Sequence, residues 1–313
     1  DQVTWTITPA PTVNAGPDQS LCANNANATL NGSFTVATGA IWSGGAGTFS
    51  PSASNIHATY TPTATEISNG SLTLTLTSTG NNNCVAVSDQ VVLHFTPAPT
   101  VNAGADATVC VNNANVLLNG TVTVATGGVW SGGAGSFTPN NTTLNATYTP
   151  TPAELAGGTL TLTLTSTGNS NCGAVSDSKV INFTSAPTVD AGPNGTVCAN
   201  ASAIQLAGAV TGATGAIWSG GAGTFNPNNT TLNAIYTPTA AERTAGTVTL
   251  TLTSAGNGLC NAVSDQVTWT ITPAPTVNAG PDQSLCANNA NATLAGSFTV
   301  ATGAVWSGGA GTF

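Results

Sequence analysis

Alternation of apolar and hydroxylated residues is the clearest structural signal in the chain. Across Leu72–Ser78, a period of two sets Leu72, Leu74 and Leu76 on one face and Thr73, Thr75 and Thr77 on the other. That pattern marks a strand with one face in a core. Shorter stretches predict strands at Gln19–Ala23, Ala28–Val36 (interrupted by Asn31 and Gly32), Ala40–Ser43 with Trp42 pointing inward, Thr48–Phe49, around Ala58–Tyr60, and from Val85 to Phe95. Turn-forming runs separate them at Asn14–Asp18, Asn24–Asn27, Gly44–Gly47 and Gly80–Asn83. Pro62–Gly70 differs: proline near its start, Glu66 in its first turn and glycine at its exit predict one helical turn. About seven short strands joined by polar turns indicate an all-β, immunoglobulin-like antiparallel sandwich.

The pattern then repeats. Trp42, Trp130, Trp218 and Trp306 follow one another at 88-residue intervals, and so do Ala10, Ala98, Ala186 and Ala274, each opening an Ala-Pro-Thr-Val string. Self-similarity at a fixed period signals a tandem array. The expected modules are 10–97, 98–185 and 186–273, preceded by the last strand of another module at 1–9 and followed by the first half of one at 274–313. A longer period overlies the first, because residues 1–49 match 265–313 except at Asn31/Ala295 and Ile41/Val305. Both ends fall inside a module, so the sequence reads as a window on a longer chain. The Pro9 and Pro11 pair fixes φ and predicts a short, stiff joint.

Composition narrows the function classes. The net charge is −9, but only 4% of residues are charged, and Lys179 and Arg243 are the only lysine and arginine. Phosphate backbones require clustered basic side chains, so nucleic acid is excluded as a partner. No stretch is apolar and long enough to span a bilayer as a helix, so no membrane insertion is expected within this window.

Seven cysteines, Cys22, Cys84, Cys110, Cys172, Cys198, Cys260 and Cys286, are spaced alternately by 62 and 26 residues. Two per module indicates a disulfide framework and an extracellular, oxidising setting. Pairing within modules is the expectation: Cys22–Cys84, Cys110–Cys172 and Cys198–Cys260, with the partner of Cys286 outside the window. The alternative arises if an odd number of strands puts the two cysteines of a module at opposite poles; Cys22 would then meet Cys172 of the next module. No clustered Cys/His pairs are present, which argues against zinc.

Other candidate chemistry reduces to structure. One tryptophan per module within a strand predicts a core plug, with sugar stacking as the rival reading. Gly44–Gly47 lacks the lysine and following helix of a phosphate loop and is read as a turn. His57 and His94 have no counterparts in the other copies. Asp18, Asp106 and Asp282 recur near the joints, with Asn194 in the third copy, and are weak candidates for calcium, which prefers several carboxylates together. The outward threonine rows read as strand surface, with glycan attachment second; an ice-binding face needs many aligned rows, and each module supplies one. No cofactor and no catalytic residue is expected.

The order of motifs carries a resemblance. Thr12–Gln19, Cys22–Asn25, Leu30–Gly32, Trp42–Phe49, Ala58–Pro62, Leu72–Asn81 and then Cys84 are together similar to the tandem immunoglobulin/PKD-like repeats of giant secreted surface proteins of Bacteroidota, the SprB-type gliding-motility adhesins. The resemblance implies export and display as surface filaments. The resulting expectation is a non-enzymatic extracellular stalk or filament whose partners are neighbouring modules of the same chain. The alternatives are a multivalent carbohydrate- or surface-binding module array, with surface glycans as partners, and a self-assembling filament in which one module's open edge accepts a strand from another copy.

Overall fold

The structure, a computed structural model, describes residues 1–201 and 203–312. In the first copy the strands are β1 (Thr12–Asn14), β2 (Gln19–Cys22), β3 (Ala28–Thr29), β4 (Ser33–Thr35), β5 (Gly39–Ser43), β6 (Thr48–Ser50), β7 (Thr59–Thr61), β8 (Ser71–Thr79) and β9 (Ser88–Thr96). A helix, α1 (Ala64–Ser68), lies between β7 and β8. The same order of elements recurs over Thr100–Thr184 and Thr188–Thr272, and strands Thr276–Asn278 and Ser297–Thr299 follow. The chain forms two compact units, one of Asp1–Thr108 with Ala114–Phe183, the other of Val109–Asn113 with Thr184–Phe313.

Each complete copy is an immunoglobulin-like sandwich. One layer has the order β2-β9-β8-β5, the other β3-β7-β6, and β1 pairs with β4. The two pieces β3 and β4 continue one course of chain. Between them Leu30 and Gly32 donate to the carbonyls of Ala58 and Ile56 at 2.9 Å each. Glycine stands at position 32 because a Cβ there would lie 3.2 Å from the Trp42 ring and 2.6 Å from Leu76 Cδ2. The strand is interrupted to let the indole sit against bare backbone.

The alternating strand behaves as its pattern requires. Leu74 and Leu76 are buried in one core with Trp42, Tyr60, Val91 and Leu93. Leu250 and Leu252 occupy the same positions around Trp218 and Tyr236. Trp42, Trp130 and Trp218 are at most 2% exposed. Each indole Nε1 donates to a backbone carbonyl, of Ile56 at 3.3 Å, Leu144 at 3.1 Å and Leu232 at 3.1 Å. Burial of the ring therefore leaves its N–H partnered. Trp306, in the C-terminal partial copy, is 40% exposed.

One pairing departs from the antiparallel expectation. The chain crosses from one layer to the other between β1 and β2, and β2 then runs parallel to β9 with Gln19 opposite Leu93 and Cys22 opposite Thr96. The third copy repeats this with Gly195 opposite Trp269 and Cys198 opposite Thr272. A four-residue strand has no preferred direction of its own; its sense follows from the layer it joins.

Candidate functional site: the joints between modules

The parallel pairing settles where each cysteine stands. Cys22 ends β2 beside the last residue of β9, at the pole where the chain leaves the module. Cys84 lies in the turn that precedes β9, at the pole where the chain enters. The nine residues of β9 separate them by on the order of 25 Å, far beyond the reach of a disulfide. Pairing of Cys22 with Cys84, and by the same geometry of Cys110 with Cys172 and Cys198 with Cys260, is thus corrected. The bonds are Cys22–Cys172, with Cα atoms 4.8 Å apart, and Cys110–Cys260, at 4.9 Å. Both join a module to its successor. Cys84, Cys198 and Cys286 are free thiols.

A polar latch surrounds each bond. In the first unit Asn24 Nδ2 donates to the Gly173 carbonyl at 3.0 Å, and Gly173 N donates back to Asn24 Oδ1 at 3.2 Å. Asn171 Nδ2 adds a bond to the Ser20 carbonyl at 2.8 Å. In the second unit Asn112 Nδ2 donates to the Asn261 carbonyl at 3.0 Å, while Asn261 returns bonds from N to Asn112 Oδ1 at 3.0 Å and from Nδ2 to the Asn112 carbonyl at 2.9 Å. These asparagines read as loop residues in the sequence. Their signal is positional: every copy places asparagine two residues after its first cysteine, at Asn24, Asn112, Asn200 and Asn288.

The joint runs beside the bonded sulfurs. The Pro97 carbonyl oxygen lies 3.9 Å from Cys22 Sγ and 3.6 Å from Cys172 Sγ, and the Ser185 carbonyl lies 3.8 Å from Cys110 Sγ and 3.5 Å from Cys260 Sγ. Neither disulfide carries a hydrogen to donate, so these are contacts that fix the joint's position. The free thiols have like surroundings, with Cys84 Sγ 3.7 Å from the Pro9 carbonyl and Cys198 Sγ 3.8 Å from that of Pro273.

The aspartates near the joints hold strands together. Asp18 Oδ1 accepts from Val92 N and Asp106 Oδ1 from Val180 N, both at 2.8 Å. Asn194 Oδ1 accepts from Thr268 N at 2.7 Å in the third copy. Amide and carboxylate oxygens do this work equally, which explains why asparagine stands there. Asp89, Asp177 and Asp265 each accept from a backbone N–H, of Ala15, Ala103 and Ala191. Asp282 is exposed in the partial copy. Among the described residues, no group of three or more His, Cys, Asp or Glu side chains gathers.

The other polar hub is Tyr–Glu. Glu66 Oε1 accepts from the Tyr60 hydroxyl at 2.8 Å and Ala46 N at 2.6 Å, and its Oε2 accepts from Thr63 N at 2.7 Å. Thr63 and Glu66 form a capping box at the start of α1. The glycine loop closes over this hub: a Cβ on Gly45 would fall 2.0 Å from the Tyr60 hydroxyl oxygen. Burial alone would raise the Glu154 pKa, but the Thr151 N–H, the Tyr148 hydroxyl and the Ala134 N–H overcome it and hold it at about 2. Burial, then the bond to Glu154, pushes Tyr148 up to about 12. All of these groups are satisfied by one another, and the hub locks the loop to the helix.

The layers β2-β9-β8-β5 and β3-β7-β6, repeated in register, decide the architecture. The fold is a tandem array of immunoglobulin-like sandwiches. No protein-family model matches this sequence, and no curated protein does. Among solved structures, a titin variant of three immunoglobulin domains is 11% identical, covering 86% of this chain and 100% of its own at a TM-score of 0.45. A mouse cadherin-23 extracellular fragment is 12% identical, covering 85% of this chain and 99% of its own at 0.35. Sidekick-1 immunoglobulin domains 1–5 are 12% identical, covering 85% and 60% at 0.32.

Proposed function

We propose that the chain is a non-enzymatic, extracellular structural stalk of the surface-adhesin type, built from 88-residue modules beginning at Ala10, Ala98, Ala186 and Ala274. The observation that carries this reading is the cross-joint disulfide with its asparagine latch, found at two joints, which commits recurring cysteines and asparagines to holding a neighbouring copy. Disulfides fit an oxidising compartment outside the cell. Trp42, Trp130 and Trp218 are buried, which keeps these three indoles from stacking on sugar, and the Tyr–Glu hub is closed on itself. Membership among secreted gliding-motility adhesins of Bacteroidota remains part of this proposal and is supported by the motif order alone.

Surface plasmon resonance over a panel of immobilised glycans tests the reading. A stalk gives no saturable response from the three-module chain. Saturable binding that strengthens with the number of modules overturns it in favour of a multivalent binder.

A further inference from the structure

Under tension a cross-linked chain becomes taut along its shortest covalent route. Cys22–Cys172 and Cys110–Cys260 each join residues 150 apart, and the two loops overlap, since Cys110 lies inside the first and Cys172 inside the second. Pulled from both ends, this chain draws tight from its N-terminus to Cys22, across to Cys172, back along the backbone to Cys110, and across to Cys260. The stretches 22–110 and 172–260 are left slack.

We propose that the staggered staples form a load-bearing device that shortens the taut route, carrying force along 110–172 and leaving 22–110 and 172–260 out of the line of force. In a longer array whose remaining cysteines were paired in the same way, the load would pass instead along the 26-residue segments 84–110 and 172–198. Residues 172–198 hold three strands, Ser176–Thr184, Thr188–Asp190 and Gly195–Cys198. Residues 84–110 hold the equivalent three, Ser88–Thr96, Thr100–Asn102 and Ala107–Cys110. Within each segment the strands themselves are already extended. The free thiols Cys84 and Cys198 sit against proline carbonyls just as their bonded counterparts do. A further module of the same kind at either end pairs them, and the taut route then advances without doubling back, through one 26-residue segment for every two modules.

A single backbone break between Cys22 and Cys260 also leaves the chain in one covalent piece, because every position there lies inside at least one loop. The device deepens the stalk reading but stands on covalent connectivity rather than on any partner.

Optical-tweezers stretching of the full chain, with Cys84, Cys198 and Cys286 alkylated and handles at both ends, tests it. Oxidised protein is expected to go taut at about 500 Å, and the same protein in reductant at about 1,100 Å. Cys22→Ser, which removes one staple, is expected to go taut at about 600 Å. Oxidised protein that extends as far as the reduced chain overturns the proposal. A chain that goes taut early yet binds an immobilised glycan overturns only the stalk reading, so the two failures are distinct.

Discussion

Glu66, Glu154 and Glu242 each bridge a tyrosine hydroxyl, a loop N–H and the threonine that caps the following helix. Glu154 and Glu242 are held at about 2, below the ordinary 4.5. A carboxylate whose folded pKa is depressed contributes stability that is complete above its unfolded pKa and disappears as pH falls through the folded one. The thermal unfolding midpoint is therefore expected to fall as pH drops from about 4.5 to 2, with a shallower slope in Glu154→Gln. Tyr148 and Tyr236, raised from 10 to about 12, act at the other extreme: their contribution is present below pH 10 and is lost as pH rises through 12. A second residue-scale test lies at Gly195, where a Cβ would come within 2.3 Å of the Trp269 ring. The first copy has Gln19 opposite Leu93 at this register. Gly195→Gln is expected to cost about 1–3 kcal/mol by overpacking, and Trp269→Leu in the same chain to recover most of it, as read by urea denaturation.

At the scale of the element, tryptophan and glycine form a matched pair. Gly120 has the Trp130 ring 2.8 Å from where its Cβ would stand, and Leu164 Cδ2 at 2.7 Å. Trp130→Ala is expected to cost about 3–5 kcal/mol through the cavity it leaves, measurable as a shift in denaturation midpoint. The sequence pointed to this indole because alternation and a glycine-rich turn are local signals. The helix was legible for the same reason: Pro62, Glu66 and Gly70 lie within one short stretch, and the structure adds the capping box of Thr63 with Glu66. The sense of β2 was not legible. Four residues pair in parallel or antiparallel with equal local ease, and only the crossing between layers after Asn14 decides. The disulfide partners depended on that decision, so spacing alone left both connectivities open. The asparagine latches were hidden differently, since each joins loops about 149 residues apart.

For the molecule as a whole, scarce basic residues give a direct readout of connectivity. Lys179 is 5% exposed, standing where other copies have the core residues Val91 and Val267, and the Arg243 guanidinium donates to the Ala199 and Pro238 carbonyls. Trypsin is therefore expected to leave the native chain intact. Once the chain is unfolded with its free thiols alkylated and its disulfides kept, cleavage after both residues yields three stretches, 1–179, 180–243 and 244–313. Cys110 lies in the first, Cys198 in the second and Cys260 in the third. The cross-joint bond Cys110–Cys260 holds 1–179 to 244–313 and lets 180–243 leave as an alkylated peptide. Closure within the module, Cys198 with Cys260, would instead hold 180–243 to 244–313 and release 1–179. Mass spectrometry before and after reduction distinguishes these outcomes. A non-reduced species joining 180–243 to 244–313 would remove the staple on which the extended, load-carrying route depends.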